Sequence, residues 1–359
     1  MKMNRLFPFL LLLFPLCLQA QQNFHDPLQA GFQVLRGQAF PAECRDTYQR
    51  FPDSRQSQVP TWVWGNSLHS AGISLRFRTG ADQITVRYTC ANRTYAMNHM
   101  PAMGVSGVDL YEVDAKGQTH YCAPKYVFGD TITFNFRNLD HAHGGEYELY
   151  LPLYNKVTWL NVGVPQGADF AFLPASQQKP ILVYGTSIAH GGCASRTGMA
   201  WPSILKRTLD RPFINWGFSG SGRLDSTMFV QMQQVDAALY IIDCMPNMTG
   251  MPDQIFPRLT QGIRMLRQRT DAPILLVEHD GYTGEATSRQ AFLEYDRTNQ
   301  ECQRAYRQLR REGVKGLYYL SNREIAMPMD GMVDGVHATD YGMVVYANAY
   351  LRKLKKILK

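Results

Sequence analysis

Hydrophobic residues alternate with polar ones along the first half of this chain, and the alternation stops near residue 175. A repeat of two fits a strand with one buried face, whereas a continuous apolar run fits a strand buried on both. Ile73-Ser74-Leu75-Arg76-Phe77-Arg78 and Ile84-Thr85-Val86-Arg87-Tyr88 alternate cleanly. Shorter runs follow at Tyr126-Val127-Phe128, Thr131-Ile132-Thr133-Phe134, Tyr147-Glu148-Leu149-Tyr150-Leu151 and Trp159-Leu160-Asn161-Val162. Polar breaks such as Thr79-Gly80-Ala81-Asp82 and Arg137-Asn138-Leu139-Asp140 separate them. Residues 24–174 therefore predict an all-β sandwich, jelly-roll-like in its many short strands.

Pro174-Ala175-Ser176-Gln177-Gln178-Lys179-Pro180 is polar, bounded by prolines, and reads as a linker. Beyond it strands and helices alternate. Ile181-Leu182-Val183-Tyr184, Ala237-Ala238-Leu239-Tyr240-Ile241-Ile242, Pro273-Ile274-Leu275-Leu276-Val277 and Leu317-Tyr318-Tyr319-Leu320 read as buried strands. Residues 201–209, 254–269, 288–311 and 339–354 read as helices. Residues 180–359 thus predict an α/β domain, a parallel sheet between two helical layers. In such a domain chemistry sits at the carboxyl ends of the strands. A chain of 359 residues also exceeds the size at which a single core stops growing.

The first 20 residues have the grammar of an export signal. Lys2 and Arg5 precede an apolar run over 6–18, and Leu18-Gln19-Ala20 offers a small-residue cleavage site. The run is short for a bilayer span, and Leu16 before Cys17 is not the small residue a lipoprotein signal wants. No later segment reads as a membrane span. The expectation is a product cleaved near Ala20, without stable membrane insertion, that is periplasmic or extracellular. Cleavage takes the formal charge from +7 to +5. Part of that excess, Arg352-Lys353-Leu354-Lys355-Lys356, suits the C-terminal end of a last helix. No zinc finger, helix-turn-helix or aromatic-basic motif appears, so nucleic acid is not an expected partner.

Six cysteines remain after cleavage: Cys44, Cys90, Cys122, Cys193, Cys244 and Cys302. None stands in a C-x-x-C pair, which argues against structural zinc. Cys193 and Cys244 each lie a few residues from a block that could do chemistry, and they are the candidate disulfide pair.

Three blocks fall at strand ends. Ser187 follows the first buried strand in Tyr184-Gly185-Thr186-Ser187-Ile188, where a nucleophile can meet a substrate carbonyl. Taken alone, a serine there better suits a helix N-cap. Gly220, in Gly217-Phe218-Ser219-Gly220-Ser221-Gly222, and Asn247, in Asp243-Cys244-Met245-Pro246-Asn247, could offer N–H groups to a developing oxyanion, or could be ordinary turn residues. Asp334-Gly335-Val336-His337 precedes the last helix and can set an imidazole beside an orienting carboxylate. A second D-x-x-H match, Asp140-His141-Ala142-His143, lies in the β half and reads as a solvated turn.

Taken together in this chain order, the blocks give residues 181–340 a resemblance to an SGNH (GDSL-type) hydrolase, closest to bacterial two-domain members. Those carry Y-G-T-S-I followed by G-G-C-A-S-R, matched by Gly191-Gly192-Cys193-Ala194-Ser195-Arg196. They also carry G-F-S-G-x-G-R-L, matched by residues 217–224, and D-G-V-H, matched by Asp334 to His337. Their front domain has G-x-D-L-Y, matched by Gly107-Val108-Asp109-Leu110-Tyr111. The resemblance implies a flavodoxin-like three-layer domain with Ser187 as nucleophile, His337 as general base and Asp334 orienting it. Ser187, Gly220 and Asn247 would form the oxyanion hole. The usual G-x-N-D block is here Met245-Pro246-Asn247-Met248, so only its asparagine survives. No metal or organic cofactor is implied.

The function expected is a secreted serine esterase removing O-acyl groups, above all O-acetyl, from carbohydrates through an acyl-serine. A lipid-directed esterase or lysophospholipase, and a non-catalytic glycan-binding protein, are the alternatives. His190 and Arg196, close behind the nucleophile, are candidate substrate contacts, with a loop-stabilising role an equally good reading. Trp62, Trp64 and Tyr111 could touch glycan, although core packing is the better reading of buried aromatics.

Overall fold

The computed structural model describes residues 21–358, so the expected signal peptide lies outside the described residues. The first half is built from two antiparallel sheets. One runs β1 (Gln22–His25), β9 (Val157–Pro165), β3 (Gln83–Cys90), β7 (Ile132–Arg137), β6 (Pro124–Val127). The other runs β10 (Ala171–Leu173), β2 (Ser74–Arg78), β8 (Glu146–Tyr150), β4 (Asp109–Val113), β5 (Thr119–Cys122). The alternation seen in the sequence sends Ile84, Val86, Phe134 and Val162 of one sheet, and Leu75, Phe77, Leu110 and Leu149 of the other, into one shared core. Each such side chain contributes about 1.5–3 kcal/mol by leaving water.

The second half is one parallel sheet in the order β12 (Phe213–Gly217), β11 (Ile181–Gly185), β13 (Leu239–Asp243), β14 (Ile274–Val277), β15 (Leu317–Leu320). In chain order this is 2-1-3-4-5, the flavodoxin-like winding. The pleat explains why its strands are apolar throughout. Leu182, Tyr184, Ile214 and Trp216 pack into one core with α5 (Ser226–Met232), α6 (Ile255–Arg267) and α7 (Arg289–Arg311). Ile181, Val183, Phe213 and Leu275 pack into the other with α4 (Trp201–Leu209) and α9 (Asp340–Ile357). Lys355 and Lys356 sit in the last turn of α9. Among the described residues no helix is long and apolar enough to cross a membrane.

The two halves share more than a linker. Residues 40–67, including α1 (Thr61–Ser67), bridge the halves: Tyr48 stays in the sandwich core, while Phe40, Phe51 and Val63 join the core around Trp216 and Phe218. Arg50, fully enclosed, donates to the carbonyls of Asn215 (2.9 Å), Gly217 (2.6 Å), Asn66 (2.6 Å) and His69 (3.2 Å). A second link joins the halves where Glu148 of β8 meets Lys206 of α4, and Glu148 also accepts from Arg76 (3.0 Å) and Ser74 (2.7 Å). Burial alone would raise the Glu148 carboxyl, but Lys206 and Arg76 outweigh it and hold it well below the usual range.

Candidate active site

Four loops at the carboxyl end of the parallel sheet converge. The first leaves β11 and enters α3 (Ser187–His190). Thr186 is the N-cap, its hydroxyl accepting from Ile188 N–H at 3.4 Å, so Ser187 is not the cap. Its Oγ lies 2.9 Å from His337 Nε2. The Ser187 carbonyl accepts from Gly191 N–H (3.0 Å), Gly192 N–H (2.9 Å) and the Tyr154 hydroxyl (3.2 Å), which pins the helix turn.

The loop between α8 (Asn322–Ile325) and α9 supplies the imidazole and the carboxylate. His337 Nδ1 lies 2.7 Å from Asp334 Oδ2, while Asp334 Oδ1 accepts from the N–H groups of His337 (2.8 Å) and Val336 (3.1 Å). Partial burial pushes the Asp334 carboxyl up, but these three hydrogen bonds prevail and draw it down to about 2. Ionised Asp334 fixes the proton on Nδ1 and leaves the Nε2 lone pair facing the serine.

The loop after β12 is a glycine turn that little else could build. A Cβ on Gly217 would lie 2.1 Å from His190 N, and one on Gly222 would lie 2.2 Å from the Gly185 carbonyl oxygen. Gly220 has φ +66° and open space around it. Asn66 of α1 steadies the turn, donating to the Ser219 carbonyl (3.1 Å) and the Ser221 hydroxyl (3.2 Å). Asn247, in the turn after β13, is best satisfied with its amide oxygen accepting from Ser221 N–H (3.0 Å) and Gly222 N–H (3.1 Å). Its NH2 is then left to donate elsewhere.

For three of the sequence expectations the contacts favour the other reading. His190 is fully buried, stacked on Tyr154 (ring centroids 4.1 Å), with Nε2 2.7 Å from the Leu153 carbonyl, so it braces the fold and has no surface for substrate. Burial and the neighbouring Arg50 push its pKa well below the ordinary value, which leaves the ring neutral. Arg196 is held by Asp109 (2.7 Å) and Tyr111 (2.5 Å), and Asp109 also accepts from Gly198 N–H (2.7 Å). Asp109 and Tyr111 of the G-x-D-L-Y motif thus clamp the loop that follows the nucleophile. Cys193 and Cys244 are not bridged; all six cysteines among the described residues are free thiols. Burial pushes the Cys193 thiol up to about 12, and Cys244 donates to the Tyr184 carbonyl at 3.6 Å.

Of the three aromatics, Tyr111 is buried and Trp64 packs against the core, but Trp62 is half exposed beside Arg223 (5.8 Å to the ring centroid). The second D-x-x-H segment is a turn, with His141 Nδ1 2.9 Å from the Tyr147 hydroxyl and His143 stacked on His120. Arg50, Asn66, His99 and Tyr154 also pack around these loops, and nothing in the sequence marks them. Each comes from the first half, where no local pattern points at the second.

A flavodoxin-like sheet carrying a serine, an imidazole and a carboxylate in one hydrogen-bonded line belongs to the class of serine hydrolases. The chain is a member of the GDSL-like Lipase/Acylhydrolase family, whose profile matches residues 178–355, joined to the GxDLY domain, the N-terminus of SGNH-hydro-type esterases, which matches residues 22–170. Members of this family are serine ester hydrolases. Among solved structures, a Bacteroides ovatus protein described as a GDSL-like lipase is 27% identical, with a TM-score of 0.85, over 94% of this chain and 98% of its own. A salicylyl-acyltransferase from a tetracycline biosynthetic pathway is 17% identical, with a TM-score of 0.74, over 94% of this chain and 97% of its own. A family two carbohydrate esterase from Clostridium thermocellum is 14% identical, with a TM-score of 0.53, over 79% of this chain and 90% of its own. The last two likenesses speak to fold alone. No curated protein matches the chain.

Proposed function

We propose that the protein is an exported serine esterase that removes short acyl groups, acetyl first among them, from carbohydrates. The observation that carries the chemistry is the Ser187–His337–Asp334 line, with gaps of 2.9 and 2.7 Å. In this reading His337 Nε2 takes the Ser187 proton as Oγ attacks the ester carbonyl, and Asp334 stabilises the imidazolium that forms. The tetrahedral oxyanion is met by the N–H groups of Ser187 and Gly220 and by the Asn247 NH2. Collapse expels the alcohol, which takes the proton from His337. Water, deprotonated by the same imidazole, then releases the acid from the acyl-serine.

Two further features bear on the substrate. The signal-like N-terminus favours an extracytoplasmic substrate, and the half-exposed Trp62, beside the loop that carries Gly220, offers a face on which a sugar ring could stack. In this reading residues 24–174 form an accessory domain and 180–359 the catalytic one.

The test is hydrolysis of p-nitrophenyl esters from acetate to octanoate by the mature protein and by Ser187→Ala, with acetate release from acetylated xylan and pectin in parallel. The expected result is a maximum at acetate, lowered about 10⁴-fold or more in Ser187→Ala. A Ser187-dependent maximum at long chains transfers the assignment to a lipid-directed esterase. Absence of any Ser187-dependent turnover refutes the ester chemistry and favours a glycan-binding protein.

A further inference from the structure

Beside the catalytic line lies a second set of donors with a different chemistry. The segment before α2 (Ala102–Val105) folds back on itself through paired Met97–Met100 backbone hydrogen bonds (2.9 and 3.2 Å). This turn of the first half carries His99 to the cleft, its ring centroid 5.5 Å from that of His337. Cys193, in the loop after α3, completes the group. One donor atom from each of His99, Cys193 and His337 lies within 4.8 Å of the other two.

Two imidazoles and a thiol are the ligands that zinc-like ions prefer, and three protein ligands leave a fourth position for water. A tetrahedral zinc ion with bonds of about 2.0–2.3 Å needs donors roughly 3.5 Å apart. The group is therefore slightly open, and His99, which is exposed, can close it by rotating its side chain. Asp334 occupies Nδ1 of His337, so the lone pair left for a cation is on Nε2, the atom that faces Ser187 Oγ.

We infer that His99, Cys193 and His337 bind a thiophilic divalent ion of the zinc class, and that the bound ion shuts down the esterase by taking the electron pair His337 needs as a base. The inference rests on the assignment of His337 as that base. Binding displaces the Cys193 thiol proton to solvent and the Ser187 hydroxyl from Nε2, and no bond of the substrate is touched. Magnesium and calcium, which prefer all-oxygen sites, should not inhibit. A second group with metal-binding side chains, Asp114, His120 and His143, lies on the β half, so bulk metal uptake does not report on the inhibitory site.

The experiment follows p-nitrophenyl acetate hydrolysis against buffered free Zn²⁺ for the mature protein and its His99→Ala, Cys193→Ser and His143→Ala variants. The expected result is inhibition of the wild type, reversed by EDTA and not reproduced by Mg²⁺. The inhibition constant should rise at least ~10-fold in His99→Ala and in Cys193→Ser, and stay unchanged in His143→Ala. In parallel, Co²⁺ is added to Ser187→Ala, where a near-ultraviolet thiolate-to-cobalt band should appear and should vanish on adding Cys193→Ser. Zinc without effect on turnover, or equal inhibition of wild type and His99→Ala, overturns the proposal. If Ser187→Ala retains wild-type turnover, the esterase reading has failed, and the cobalt band still decides whether the metal site exists.

Discussion

Replacing Asp334 by asparagine should damage activity more than replacing it by alanine. Two backbone N–H groups, from His337 and Val336, converge on Oδ1. An asparagine must place its amide oxygen there, because an NH2 would face two donors. Its NH2 then occupies the Oδ2 position, 2.7 Å from His337 Nδ1, and forces the imidazole to carry its proton on Nε2. That tautomer cannot accept from Ser187. The loss should approach about 10⁴-fold in kcat, or ~5.5 kcal/mol of barrier. Alanine leaves a gap at a side chain that is 39% exposed, so water can enter and accept the Nδ1 proton. The loss in that variant should be about 10²- to 10³-fold. The assay is kcat for p-nitrophenyl acetate at neutral pH, with thermal melts to show that each variant is folded. Equal or greater activity in Asp334→Asn than in Asp334→Ala would refute the tautomer argument. The Asp334 carboxyl also sets a pH dependence of stability. A carboxyl lowered to about 2 contributes stability that is complete above about pH 4 and is lost as pH falls through 2. After discounting for solvent screening at this exposed position, that contribution is roughly 1 kcal/mol. An acid limb in the activity profile above pH 4 therefore does not belong to Asp334.

Asp243, at the end of β13, is buried, and desolvation, with a further push from Asp280, raises its carboxyl to about 7. The folded state therefore holds a proton that the unfolded state releases near pH 4, and stability should fall between about pH 4 and 7, by on the order of 3–4 kcal/mol. Urea titrations of wild type and Asp243→Asn across that range check this, and parallel pH profiles would sink the idea. Gly222→Ala drives a Cβ into the backbone two residues before Ser187 and should cost about 1–3 kcal/mol of stability and about 10²-fold in kcat. Gly220→Ala, in open space with φ +66°, should cost ~1–2 kcal/mol yet keep most activity, because its N–H remains. Arg196→Ala leaves Asp109 buried without its cation and should lower stability by about 3 kcal/mol with KM little changed; a raised KM with unchanged melting would restore Arg196 as a substrate contact.

The sequence by itself determined the local structure. Period-two alternation set the antiparallel strands, and continuous apolar runs set the parallel ones. These are properties of a few neighbouring residues, so they can be read from a few neighbouring residues. Only the tertiary structure decided how residues far apart in the chain share work. Arg196 and His190 stand next to the nucleophile in sequence, which left substrate contact and loop support equally open. Yet Arg196 turns to Asp109, 87 positions earlier, and His190 is enclosed by Arg50, His69 and Tyr154 of the first half. Cys193 and Cys244 flank the same site but remain separate thiols, because being near one cleft does not bring two sulfurs to bonding geometry. His99 reaches His337 across the junction between halves, a contact of high sequence separation that no periodicity encodes. Packing between halves is fixed by shape and by buried polar partners contributed from both sides, and those partners are known only once the chain has folded.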